Sequence, residues 1–169
     1  LESLLSAWSF FETNIHSNSY SHIIRGAYAN PAEIFDRVHD IKEIVDMAAS
    51  IGEHYNALDE LNAKAALGQE VDTYEYKKAI WFALHASYAL EAIRFMVSFA
   101  TSFAMMERKM FIGNGTIIGL ILQDEMLHTE WTGWIINQVC KEDPDFAKIR
   151  ADTIDEVYDI YQKVVDEEK

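Results

Sequence analysis

The sequence predicts an all-α fold, a helix bundle with long buried central helices, and three observations carry that expectation. Half of the 169 residues are apolar, yet only two are proline and seven glycine, and no stretch alternates as a half-buried strand would. Apolar residues recur instead at helical intervals, as in Ile117, Ile118, Ile121, Thr132, Ile135 and Val139. The run from Ala79 to Met106 is apolar on nearly every side, the pattern of a helix at the centre of a bundle. A chain of this length makes a single domain that can bury a sizeable core without disulfides. The single cysteine, Cys140, has no internal partner, which fits a reducing compartment.

Residues 2 to 27 read as the first helix. His16 to Ser21 has a loop-like composition, but the apolar phase continues from Trp8 to Ile24, and serine hydroxyls can bond back to the preceding turn. Asn30-Pro31 breaks the chain. A short helical turn from Ala32 to Val38 leads to Asp40-x-x-Glu43, a capping-box-like start for a helix with Ile41, Ile44, Val45, Ala48, Tyr55 and Leu58 on one face. Gly68 to Val71 is the next linker, Asp72 with Glu75 resembles a second capping box, and the longest helix follows over about 73 to 110. Gly113-Asn114-Gly115 is expected to stop the chain and restart it into a helix reaching about Cys140. Asp143-Pro144 has the form of a cap followed by a first-turn proline, and opens a last helix with Phe146, Ile149, Val157, Tyr161 and Val164 inward. Its acidic end, Asp166 to Lys169, reads as a solvated face. The sequence does not begin with Met and a helix starts at once, so a fragment of a longer protein is expected.

A formal charge of −14 argues against nucleic acid, whose phosphates need a net excess of Lys and Arg. It agrees with cation binding. Glu91, Arg94, His85 and several serines interrupt the run from Ala79 to Met106, so a buried bundle helix is expected there rather than a membrane span, and no signal peptide is visible.

Chemistry concentrates on three segments. Glu125 and His128 fall on the apolar stripe of their helix rather than on its solvated face, and Glu12 and His16 repeat that arrangement near the start. Glu91 lies inside the most apolar segment. Buried carboxylates are costly unless paired or bound to a metal, and Glu-x-x-His on a helix is the device by which bundles hold di-iron or di-manganese centres. Carboxylate and imidazole donors together suit iron or manganese. Three carboxylates leave a pair of divalent ions one charge short, so a fourth is expected from elsewhere. Asp124 points about 100° away from Glu125 and is better placed to accept from a ligand histidine's other ring nitrogen. Tyr20 lies one turn beyond His16, and Phe95, Phe99 and Ile121 fall where they can surround it with a dry apolar pocket.

The stretch from Glu12 to Arg25, the segment Ala89 to Phe95 with Val97-Ser98-Phe99, and Asp124-Glu125-Met126-Leu127-His128 closely resemble the small, radical-generating beta subunit of class I ribonucleotide reductase, in its class Ia bacterial and phage-like branch. The resemblance implies a ferritin-like fold and two iron ions per chain, with manganese or a manganese–iron pair as the alternative. It implies Glu12, His16, Glu91, Glu125 and His128 as ligands and Tyr20 as the carrier of a stable radical, formed when the reduced di-iron centre reacts with oxygen. Phe95, Phe99 and Ile121 match the family's radical pocket, and Asp124 its link to the radical-transfer route. The implied activity is ribonucleoside-diphosphate reduction, performed with a large alpha subunit by a homodimer in the cytoplasm, or in the host cytoplasm if phage-encoded.

The resemblance departs in two places. The family's first pair is Glu-x-x-His, whereas here an extra residue separates Glu12 from His16, a change a π-bulge can absorb. The family's N-terminal aspartate ligand, its radical-path tryptophan and its C-terminal docking tail have no counterpart in these residues, so the chain alone is expected to bind iron poorly and to be inactive. Another ferritin-like di-metal oxidase, iron storage and a plain bundle are the competing readings. A shielded redox tyrosine separates the leading reading from storage.

Overall fold

A computed structural model describes residues 2–169, which are helical with no strand among them. Helix α1 runs over Glu2–Phe10, passes through a π-helical turn at Phe11–His16 and resumes over Ser17–Ala27. The loop-like serine stretch is therefore helical, and the Ser19 hydroxyl donates to the carbonyl of Ile15. Pro31 opens α2, Pro31–Arg37, and a 3-10 turn at Val38–Asp40 leads into α3, Lys42–Ala66. The capping box expected at Asp40 does not form. The Ile41 amide bonds to the Val38 carbonyl, so the chain is still in its 3-10 turn at Asp40, and Ile41 caps α3 without a side-chain bond.

Helix α4 comprises Thr73–Ala89, a second π-turn at Leu90–Arg94, and Phe95–Glu107. Here the cap does form, the Asp72 carboxylate accepting from the amides of Tyr74 and Glu75 at 2.8 and 3.0 Å. Thr73–Glu107 is long and apolar enough to cross a membrane by composition. It packs instead against α3 and α5 and carries the buried side chains of Glu91 and Arg94. Burial is not all-round as expected, because Val97 and Met105 are exposed.

The break before the next helix also lies elsewhere than expected. The chain turns at Lys109 and Phe111, both with left-handed backbones (φ 61° and 52°), and α5 then spans Ile112–Glu142 with Gly113 and Gly115 inside it. Gly115 is explained by packing rather than by a turn. A Cβ there would lie 2.8 Å from Met106 Sδ, so the small residue lets α5 pass close to the end of α4. The last helix is two. α6, Pro144–Asp152, is capped by Asp143, and α7, Ile154–Glu167, restarts after a break at buried Thr153, whose hydroxyl donates to the Ile149 carbonyl.

Antiparallel α4 and α5 form the centre of the bundle and carry two apolar clusters. Trp81, Phe146, Ile149 and Val157 make one, and Phe99, Ile118 and Ile121 the other, with Ile23 and Phe95 packed against it. Between them along α4 and α5 lie Glu91, Glu125 and His128. The site is therefore held by apolar packing at both ends.

The first cluster also buries His85, whose Nδ1 is 2.7 Å from the Tyr161 hydroxyl. Burial, reinforced by the charge of Arg150, pushes His85 down to about 4 from its ordinary 6.5. The unfolded chain then binds a proton that the folded chain refuses between those values. Stability is full above about pH 6.5 and falls as the pH drops toward 4, by up to about 3 kcal/mol for a shift of this size. Urea unfolding midpoints measured from pH 7 to pH 4 are expected to decline, and His85→Gln is expected to flatten that decline. An unchanged slope in the variant would assign the acid sensitivity to other groups.

Candidate metal centre

Three helices deliver the five acid and imidazole side chains to one place. On α5, ordinary helical geometry sets Glu125 and His128 one above the other, with His128 Nδ1 2.8 Å from Glu125 Oε2. On α1 the corresponding pair lies within the π-turn at Phe11–His16. Glu12 and His16 are four residues apart, and the wider turn accommodates the extra residue so that both face α5. Within that turn Asn14 stays on the outside, bonding its side-chain nitrogen to the Phe10 carbonyl. On α4, Glu91 sits in the second π-turn.

Donor atoms of Glu12, Glu91, Glu125 and His128 all lie within 4.8 Å of one another. His16 Nδ1 joins them, at 3.0 Å from both Glu12 Oε1 and Glu125 Oε1. His128 Nδ1 is 3.3 Å from Glu12 Oε1 and 3.7 Å from Glu91 Oε2. His16, Glu91, Glu125 and His128 are buried, and Glu12 is half-buried. The other ring nitrogen of His16 meets Asp124 Oδ2 at 3.1 Å, so Asp124 stands outside the cluster and orients the imidazole from behind, as its place on the helix predicts. The indoles of Trp8 and Trp131 flank His128, at ring separations of 5.3 and 6.1 Å.

Crowding of like charges sets the electrostatics. Burial, with the neighbouring carboxylates of Glu125 and Glu12, pushes Glu91 up to about 8 against the lowering influence of nearby His128. Glu12 and Glu125 are also penalised by burial, but bonds from both histidines outweigh it and both are lowered. Burial disfavours charge on His16 and His128, yet bonds to their carboxylate neighbours raise them to about 10 and about 11. The field at this point therefore strongly favours positive charge. A divalent cation fits the donor set. Glu91 Oε2 is buried with no hydrogen-bond partner, and the Nδ1 atoms of both histidines already face the carboxylate oxygens that would share the ion with them.

Tyr20 lies near the cluster, where burial of its hydroxyl and the charges of Glu125 and Glu12 push the phenol up to about 12. Phe95, Phe99 and Ile121 come together in one apolar cluster. The expected sealing of the ring is not met within this chain. Tyr20 is 37% exposed and lines an open apolar groove of about 330 Å³ with Ile23, Ile24, Tyr28, Phe111 and Ile118. Its helical segment, Ser17–Ala27, packs on α2 and α5, which leaves Tyr20 facing the groove. Sequence reasoning missed the two indoles beside His128. It also took the acidic end of α7 for a solvated face, whereas Glu167 and Glu168 close over buried Arg94, with Arg94 Nη1 3.0 Å from Glu168 Oε1. A lone buried arginine in an apolar helix was the signal that could have found them, because it requires anionic partners.

Comparison with known proteins finds a match over residues 2–169 to the family described as ribonucleotide reductase, small chain. Similar proteins include the ribonucleoside-diphosphate reductase subunit beta of Buchnera aphidicola subsp. Baizongia pistaciae, 40% identical over 100% of this chain and 48% of its own length. The ribonucleoside-diphosphate reductase 1 subunit beta of Salmonella typhimurium is 38% identical over 100% of the chain and 48% of its own length. The ribonucleoside-diphosphate reductase subunit beta of Enterobacteria phage T4 is 33% identical, over 100% and 49%. The chain thus spans about half the length of the curated relatives it matches.

Proposed function

The chain belongs to the ribonucleotide reductase small-chain family, and from that premise we propose that it is the metal- and tyrosine-bearing part of a radical-generating beta subunit. Its residues form one ferritin-like domain, which acts as a homodimer with a large subunit that reduces ribonucleoside diphosphates in the cytoplasm. The observation that carries this reading is the meeting of Glu12, His16, Glu91, Glu125 and His128 beside Tyr20.

Glu12, Glu91 and Glu125 with the Nδ1 atoms of His16 and His128 would hold two metal ions, for which iron is the proposed identity. Such a pair would supply, with oxygen, the oxidising power to withdraw one electron from a nearby side chain. Tyr20 is suited to be that side chain. With its phenol held at about 12 it is neutral at physiological pH, so losing an electron also requires releasing the proton on Oη. Phe95, Phe99 and Ile121 are the proposed apolar surroundings of that ring, and they share one cluster with Ile23, which lines the same groove as Tyr20. Asp124 accepts from the Nε2–H of His16, fixing the tautomer that leaves Nδ1 free to ligate.

The test uses the full-length protein, loaded with ferrous iron without oxygen and then exposed to it. A tyrosyl signal by electron paramagnetic resonance is expected, and Tyr20→Phe should remove the signal while bound iron is unchanged. A signal that persists in the variant overturns the role of Tyr20. Less than about one metal per chain after loading the parent protein overturns the metal centre itself.

A further inference from the structure

The second π-turn has a task besides presenting Glu91. Glu91 and Arg94 are three residues apart and both side chains are buried, at 2% and 4% exposure. In a regular α-helix, residues three apart lie about 60° apart round the axis, and a carboxylate and a guanidinium so placed pair with each other. Such a pairing would neutralise Glu91 and occupy the oxygens that face His128 and Glu125.

The structure avoids it by two means. The π-turn over Leu90–Arg94 turns less per residue, which swings Arg94 away from the face of Glu91. The guanidinium is then held from the far side. Nη1 meets Glu168, Nη2 meets Glu167, and Nη2 also donates to Ser50 Oγ of α3 at 3.1 Å. Each partner of the unmade pair keeps spare capacity, since Arg94 Nε and Glu91 Oε2 are both buried without a hydrogen-bond partner.

We infer that the carboxylates of Glu167 and Glu168 act as a clamp that withholds Arg94 from Glu91, so that the end of α7 keeps the Glu91 carboxylate available for metal. Arg94 and its two partners are positioning residues, and none of them touches the metal-binding atoms. A buried guanidinium without counter-anions is costly, and when the clamp is removed Glu91 is the nearest buried carboxylate along its own helix. The arginine then competes with the cation for the same oxygens. The inference rests on the metal reading proposed above.

The discriminating experiment measures ferrous-iron affinity by anaerobic titration of the full-length protein. It compares the parent, the double variant Glu167→Gln with Glu168→Gln, and the same double variant carrying Arg94→Met. The double variant is expected to bind iron about tenfold more weakly, an effect comparable to loss of a group supporting a ligand. Adding Arg94→Met is expected to restore affinity to within about twofold of the parent, because the competing cation is gone. A purely structural role predicts the reverse, since deleting the arginine as well would add damage. Parent-like binding in the double variant, or no recovery in the triple variant, overturns the inference. A parent protein that binds no iron overturns the metal reading instead. Should the double variant fail to fold, Glu168→Gln with and without Arg94→Met carries the same comparison, judged by the same recovery.

Discussion

Full-length protein carrying Glu125→Ala is expected to lose its metal. Glu125 is 1% exposed, touches both histidines, and is the one carboxylate whose two oxygens face different imidazoles, Oε1 toward His16 and Oε2 toward His128. On the proposed metal reading, truncation therefore removes one ligand and unties both histidines. Loss of a group that only supports a ligand typically costs 10–100-fold in affinity, so removal of this bridging carboxylate should exceed about 100-fold. The fold should survive, because the neighbouring clusters around Trp81 and Phe99 do not depend on the carboxylate. Iron per chain after loading and desalting, read beside far-ultraviolet circular dichroism, checks both parts. Full iron content in a folded variant would remove Glu125 from the ligand set.

Asp124→Ala is expected to produce the next largest effect without touching a ligand. Its carboxylate bonds the ring nitrogen of His16 that faces away from the cluster, and such backing partners are worth about 10–100-fold in metal affinity or activity. Asp124→Asn keeps a carbonyl to accept the same bond and should recover much of the loss. Radical yield after oxygen exposure, measured with iron content, separates the two variants. Equal behaviour of alanine and asparagine would mean that the bond to His16 carries no functional weight.

The cluster of acids and imidazoles was legible in the sequence because each member lies on an apolar stripe, where an ionisable group is out of place unless it has a partner. Glu91 in the most apolar stretch of the chain is the clearest case. The cap at Asp72 was legible for a local reason, since its bonds run to amides two and three residues away. What could not be read depends on distant parts of the chain. Gly113 and Gly115 have turn composition, yet α5 runs through them because Met106 approaches Gly115 from the preceding helix. Glu167 and Glu168 look like a solvated tail until Arg94, more than seventy positions earlier, is brought beneath them. The exposure of Tyr20 is likewise a matter of what packs on its helix, which periodicity along one segment does not report.

The π-turn at Phe11–His16 bears on how such sites are found. Because the extra residue is taken up within a single turn, Glu12 and His16 meet α5 together, and the chain from Ser17 onward continues as ordinary helix. One insertion thus alters the text of the motif while leaving its geometry intact. A fixed-length query for glutamate and histidine three apart would find Glu125 and His128 but pass over Glu12 and His16, whereas one that tolerates a single added position within a π-capable turn would retrieve both pairs.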